Sequence, residues 1–416
     1  MSVEFVRKYR NELGLLLAVL VVLGVTATFS DAYHSAFGLK RTAQMILRES
    51  ALVGIFALGA AMVIISGGID LSSGSVIAFS GTIFFCLLIL LAPDDPNTHW
   101  PNDPARHFPL TEALPLWIPA VALVVTLLLA FLIGTLHAWL ITRLNLPPFV
   151  ATLASLVGIR SLARLLIQDL TQLRFGQRQS TVTIEDGFLT SISREGWWVP
   201  LLIWIGLSVA IWILLSRTVV GRHLYAMGGN EEAARLSGIR TDRLKWLAYT
   251  VSSMTAALAG VLYACYIGTS SPSTDGMGYE LNAIAAAVVG GCSLTGGVGT
   301  VAGVVLGTLF LRLVIDSVAK LFKSQPDLFE GLVVGALVVL AVAVNALRSS
   351  RGRRQEFFPG LFGWLNVLIL SLLALVMTSV TAVDGKLVKG AIVGGVVCLI
   401  LTARAMAERL QQRREA

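Results

Sequence analysis

The chain has 416 residues, 55% of them hydrophobic and only 14% charged, with nine tryptophans and a net charge of +7. A soluble domain carries about 25% charged residues, so this composition excludes an ordinary globular fold and indicates an all-α, polytopic membrane protein. Nor does the positive balance point to nucleic acid: the basic residues are scattered between apolar runs rather than gathered in a patch with interleaved aromatics, and the positive-inside bias of membrane loops accounts for them.

Arg7, Lys8 and Arg10 precede a first apolar run at 13–29. It is longer than the apolar part of a usual secretory signal and lacks a small-residue cleavage site, which predicts an uncleaved span entering from the cytoplasm. The polar segment with Lys40, Arg41 and Arg48 is then expected on the outer side. A second span, 51–66, runs into Gly67-Gly68-Ile69-Asp70-Leu71-Ser72-Ser73-Gly74, and a third reaches residue 92. The glycine pair breaks a helix and Asp70 with Ser72 can cap the next one, so an interruption at or near membrane depth is expected, buried in protein or lining a cavity. Asp70 is the only acid between Glu49 and Asp94. An ionisable residue so placed is a functional candidate, and a capping role alone accounts for it equally well.

Residues 93–113 read as an acidic outer loop whose His99 and His107 match no zinc spacing. Spans four (116–140) and five (149–167) follow, and Arg160 and Arg164 on the fifth share one helix face. A second outer loop, 168–197, leads to span six, 198–215, with Trp197 and Trp198 as interface anchors. Cys86, Cys265, Cys292 and Cys398 all lie in apolar runs without a CxxC, as small hydrophobes rather than disulfides or metal ligands.

A polar island, 221–245, follows, and Arg217, Arg222, Arg235, Arg240, Arg243 and Lys245 assign it to the cytoplasm. Asn230 is a good N-cap, Glu231 and Glu232 put negative charge in the first turn, and Gly238 sits where a helix ends in a left-handed residue. A helix of roughly two turns is too short to stand alone in water, so something must hold it; an ordinary capped loop has the same pattern. Span seven covers 246–267, a small-residue outer loop 268–278, and an eighth apolar segment, 280–294, passes into Thr295-Gly296-Gly297-Val298-Gly299. A ninth span to 315, a tenth at 329–344, the basic run Arg348, Arg351, Arg353 and Arg354, and two apolar stretches at 362–380 and 387–402 complete twelve crossings, which leave both ends cytoplasmic. Gly67-Gly68-x-x-Leu71-Ser72-x-Gly74 is echoed by Gly290-Gly291-x-x-Leu294-Thr295-x-Gly297. Paired interrupted helices point to a transport path, although glycine-rich turns also coincide by chance.

Three runs, GGIDLSSGS from Gly67, GGNEEAARLSGI from Gly228 and GYELNAIAAAVVGGCSLTGGVGTVAG from Gly278, resemble in content and order the permease subunits of ribose- and xylose-type ABC sugar importers, over residues 29–344. The resemblance implies a permease core of about ten spans at 1–346 with a cytoplasmic coupling loop at 216–245. Residues 347–416 are then an addition: a basic linker, two extra C-terminal transmembrane helices and a basic tail. Glu232-Ala233-Ala234 followed by Gly238 looks like the motif that docks on an ATPase, which makes Gly229, Asn230, Glu231, Glu232, Ala233, Ala234 and Gly238 the implied coupling residues. Gly67, Gly68, Asp70, Ser72 and Gly74, with Gly290, Gly291, Ser293, Gly296 and Gly297, are expected to form the helix breaks that line the path. The implied partners are a cytoplasmic ABC ATPase, a periplasmic or lipoprotein sugar-binding protein, a second permease copy and the lipid of a bacterial inner membrane. The chain has no GxxxxGK[ST] loop, since Gly385-Lys386 is followed by Leu387, so it needs no cofactor of its own and is not expected to hydrolyse ATP. Two alternatives stay open: an ABC permease for branched-chain amino acids, and an ion-coupled secondary transporter using Asp70.

Overall fold

A computed structural model describes residues 10–30, 33–92, 114–184, 187–321, 331–337, 339, 343, 360–381 and 386–415. They form two compact units, Met1–Asn345 and Ala346–Ala416. The larger contains α1 (Arg10–Phe29), α2 (Ala36–Ile65), α3 (Ser73–Leu91), α4 (Trp117–Thr142), α5 (Pro148–Phe175), α6 (Trp198–Arg217), α7 (Val219–Gly229), α8 (Glu231–Leu236), α9 (Thr241–Ile267), α10 (Tyr279–Val289) and α11 (Val301–Leu321). The smaller contains α12 (Gly360–Thr381) and α13 (Lys386–Glu415). Among the described residues nine helices are long and apolar enough to cross a membrane: α1 to α6, α9, α11 and α13. Helix is what such runs must form, because hydrocarbon leaves backbone N–H and C=O groups no partner except one another.

The apolar half of α2 is the axis of the core. Residues 51–65 are buried without exception, and α6, α9, α10 and α11 pack around them. Small residues set the closest approaches: a Cβ on Gly134 of α4 would lie 2.5 Å from the Thr250 Cα of α9, and one on Gly260 of α9 would lie 2.9 Å from the Ile77 Cα of α3. Glu49 of α2 pairs with Arg312 of α11, so two opposite charges inside the bundle are held together.

Three expectations about the spans are corrected. The polar segment before the second span is not a loop: α2 begins fifteen residues early, at Ala36, where the Ser35 hydroxyl accepts the Gly38 N–H at 3.1 Å. Lys40 and Arg41 are exposed on its first turns, and Arg48 donates to the Tyr266 hydroxyl at 2.8 Å. Likewise α5 continues past residue 167 to Phe175, where Gly176 at φ +71° ends it.

The third correction concerns the expected outer loop at 268–278; the apolar segment after it is helical from Tyr279 to Val289 and stops at the expected glycine pair. Helix α10 has 11 residues, about 16 Å of rise, roughly half of a hydrocarbon core. The missing half is supplied by the segment expected to be an outer loop. The Ser270 hydroxyl lies 3.0 Å from that of Thr82 in α3, while Gly276 packs against Gly74, eight residues nearer the start of the same helix. The chain therefore descends about 12 Å along α3 before α10 begins.

In the smaller unit α12 and α13 form an antiparallel hairpin. Gly390 faces Ser379, and Gly394, one turn on, would place a Cβ 2.7 Å from that of Leu375, so small residues again let two helices close up. The acidic loop at 93–113, the Arg348–Arg354 run, Arg7, Lys8 and part of the tenth span lie outside the described residues.

Candidate functional site

Both glycine breaks end an inward-packed helix in the same way. At the end of α2 the Gly67 N–H bonds to the Ile64 carbonyl and the Gly68 N–H to Val63, both at 2.9 Å, with Gly67 at φ +85°. After α10 the Gly291 N–H bonds to Val288 and the Cys292 N–H to Ala287, again at 2.9 Å, with Gly291 at φ +95°. These are Schellman motifs, in which only a residue tolerant of positive φ turns the chain off the helix. The structural match thus sets Gly67 against Gly291. The sequence echo, which set Gly67-Gly68 against Gly290-Gly291, is one residue out of register.

Tertiary structure then brings the two breaks to one point, the end of α7. The Gly297 N–H donates to the Ile65 carbonyl at 2.9 Å, joining the second break to the end of α2. Gly228 is wedged between them: a Cβ there would run into the Ile65 carbonyl and lie 2.6 Å from the Gly297 nitrogen. A Cβ on Gly296 would meet the Gly228 carbonyl and the Gly67 Cα, and the Tyr225 hydroxyl of α7 donates to the Gly299 carbonyl at 2.8 Å. Gly67, Gly228, Gly296 and Gly297 therefore form a backbone junction with no side chain between the strands of the contact.

The first break is fastened by its acid. Asp70 is 3% exposed; its Oδ1 accepts the Ser72 N–H at 2.9 Å and the Ser72 hydroxyl at 2.6 Å, and its Oδ2 accepts the Ser252 hydroxyl of α9 at 2.7 Å. The expected cap is corrected here. Ser72 stands at the N-cap of α3 but makes no side-chain capping bond, because its hydroxyl is spent on Asp70. Asp70 holds Ser72 at the start of α3 through Oδ1 and binds the break to α9 through Oδ2. His137 and Tyr249, both fully buried, lie close by with their rings 6.4 Å apart. At the second break the Ser293 N–H bonds to the Val298 carbonyl at 3.0 Å, and the Ser293 hydroxyl lies 2.7 Å from that of Thr295.

The polar island is more helical than its pattern suggested, since α7 occupies its first half. The Asn230 side chain accepts the Ala233 N–H at 2.9 Å, Glu231 and Glu232 fill the first turn of α8, and Gly238 at φ +82° closes it with a third Schellman motif. Buried Ala234 seats α8 on the body, between α7 and α9. Glu231 is held by Lys245 at 2.7 Å and Arg235 at 3.2 Å. Burial pushes its carboxyl upward, and the Lys245 hydrogen bond and charge, with help from Thr241 and Arg235, outweigh it, so the net shift is downward. At the tip Leu236 is 85% exposed, a bare apolar knob that sequence reasoning passed over because it reads as helix interior.

Also missed was a polar cluster beside the start of α3. Arg160 of α5 donates to the carbonyls of Pro272 at 2.9 Å and Asp275 at 2.7 Å, pinning the descending segment. Glu280, on the first turn of α10, reaches the space above Gly74, where a Cβ would strike its carboxylate. Arg160 was legible as a charge within an apolar run; nothing local could tell which acids it would meet. A separate cavity of about 450 Å³, lined by Phe84, Pro119, Leu123, Phe188, Val261 and Cys265 among others, offers an apolar wall and no comparable polar group.

A multi-spanning bundle with two interrupted helices that meet beneath an exposed, separately capped helix is an arrangement suited to a transport permease. Over residues 42–342 the chain matches the family described as branched-chain amino acid transport system, permease component, and it belongs to that family. Among curated relatives, it is 29% identical to the ribose import permease of Escherichia coli K12, over 82% of this chain and 95% of that one. It is 30% identical to the xylose transport system permease of the same strain, over 80% and 91%. It is 34% identical to the autoinducer 2 import system permease of Enterobacter sp. 638, over 86% and 95%. No solved structure matches it.

Proposed function

We propose that the chain is the permease subunit of an ATP-driven importer in a bacterial cytoplasmic membrane, forming the path for a monosaccharide of the ribose or xylose kind. A binding protein delivers the sugar, a separate cytoplasmic ATPase supplies the energy, and two permease copies enclose the path. Sugar is favoured over branched-chain amino acids because the relatives described above are named for ribose, xylose and autoinducer 2. The ion-coupled reading loses support because the Asp70 carboxylate is already occupied by three protein donors.

The observation that carries the reading is the backbone junction at Gly228. Helix α8 offers exposed Glu232 and Leu236 to a partner and follows α7 directly, and the end of α7 touches both breaks without an intervening side chain. A push on α8 is thereby delivered to the point where the two interruptions meet, the requirement for alternating access driven from one side. Gly229 to Gly238 is then a transmission element. In the complex reconstituted with its ATPase and binding protein, Gly238→Val combined with Glu232→Ala should leave insertion and dimerisation intact while uptake stops and ATP hydrolysis no longer responds to loaded binding protein. Wild-type uptake and stimulation in that variant would reduce the island to an ordinary loop.

Residues 347–416 are peripheral to this cycle. The hairpin of α12 and α13 has neither a glycine break nor a buried acid among its described residues. A chain ended after Arg354 should retain most of its uptake, measured with radiolabelled sugar. Loss of uptake in a truncated chain that still inserts and dimerises would give the hairpin a part in transport.

A further inference from the structure

Helix α5 is exposed in a way that α4 and α6 are not. The outward residues of α4 are Trp117, Ala120, Val121, Val124, Leu128, Leu132, Leu136 and Trp139, and those of α6 are apolar until Ser216 and Arg217 at its end. Such faces suit lipid. On α5 the exposed residues include Gly158 and, unlike those in the middle of α4 and α6, the polar side chains of Ser161 and Arg164. Arg160 and Arg164 stand about 18 and 24 Å along a helix of about 42 Å, well inside the span. An exposed guanidinium at that depth is costly against hydrocarbon and cheap against a water-filled path.

Beside this face lie Arg160, Asp275 and Glu280. Arg160 and Glu280 are near enough to interact electrostatically, Arg164 and Asp275 share that field, and Glu280 Oε2 is buried with no hydrogen-bond partner among the described residues. Two guanidinium groups and two carboxylates leave the cluster with no net charge. What remains is a carboxylate acceptor and a fork of donors, the pair that binds neighbouring hydroxyl groups on a ring.

We propose that the α5 face at Gly158, Ser161 and Arg164, with Arg160, Asp275 and Glu280, is the station that contacts the solute half-way across the membrane, and that its ligand class is a neutral polyhydroxylated ring. The proposal rests on the importer reading above. Arg164 donates to the solute, Arg160 is a positioning residue that holds the descending segment, and Glu280, lodged beside Gly74 here, accepts from the solute when that segment shifts during the cycle. Gly74 has no side chain because the Glu280 carboxylate occupies that space.

The test uses the full complex in proteoliposomes, with ribose and xylose as tracers. Ser161→Cys should react with a water-soluble cationic thiol reagent, and reaction should block uptake, while Leu128→Cys on the lipid face stays unreactive; the chain with only its native cysteines sets the background. Glu280→Gln should lower uptake at least tenfold while ATP hydrolysis still responds to loaded binding protein. An unreactive Ser161→Cys would show that water does not reach this face and overturn the proposal. Equal loss of uptake and of stimulated hydrolysis in Glu280→Gln would also overturn it, by making Glu280 part of the coupling or the fold. If neither pentose is moved by the wild-type complex, the pentose assignment fails on its own account, and the labelling contrast still decides whether the face is wet.

Discussion

The two helix breaks share a Schellman turn and a dependence on glycine, and they are held by opposite means. The first is nailed to α9 through a buried carboxylate with three donors. The second carries no charge: its tie to α2 is the backbone bond from Gly297, and its tie to α7 is the Tyr225 hydroxyl. Charge-assisted hydrogen bonds in a low-dielectric interior are roughly twice as strong as neutral ones, so the first break belongs to the static frame and the second is the freer to shift with α7. In an importer driven from the α8 side, motion should enter through the second break while the first serves as its bearing.

The severest way to break that difference is at the point where both breaks touch. Gly228→Leu puts a side chain into the backbone junction and must push α7 away from both, an overpacking cost of about 1–3 kcal/mol concentrated on the coupling route. Uptake should vanish while the protein still inserts, and thermal unfolding in detergent should show only a modest loss of stability. Uptake at wild-type levels would mean that the junction carries no force.

Removing the nail comes next. Asp70→Ala leaves the Ser72 and Ser252 hydroxyls without their acceptor inside the bundle and should cost on the order of 2–4 kcal/mol of stability, read as a fall in melting temperature. Asp70→Asn keeps one oxygen acceptor and a shape that fits, so it should insert and transport close to normally. A well-inserted Asn variant without uptake would show that the charge itself is needed and that the first break is more than a bearing.

The mildest change touches only the freer side. Tyr225→Phe removes one hydrogen bond to Gly299, about 1 kcal/mol, and leaves the glycine contacts in place. It should slow uptake severalfold with little change in thermal stability, because the bond links a moving helix to the second break rather than to the core. A loss of stability as large as that of Asp70→Ala would erase the distinction between the two breaks.

Composition and apolar run length by themselves determined a membrane-spanning helical protein, because no other backbone is satisfied in hydrocarbon. Local chemistry determined the ends of α8: an Asn side chain caps the N–H groups directly after it and a glycine turns the chain directly after a helix, and both interactions close within six residues. What only the tertiary structure decided were the relations between distant segments. The bonds of Asp70 to Ser72 were within reach of local pattern, whereas its bond to Ser252 depends on a partner 182 residues away. The glycine pair that ends α10 was legible in the sequence; that the outer half of this crossing is a series of turns descending along α3 follows from the packing of Gly276 on Gly74. The echo between the two glycine runs was legible, yet its register was not, since either glycine of a pair can take the left-handed position until packing selects one. The meeting of Gly67, Gly228 and Gly297 had no local signal at all: glycine records that space is scarce, and only the folded chain says which backbone fills it.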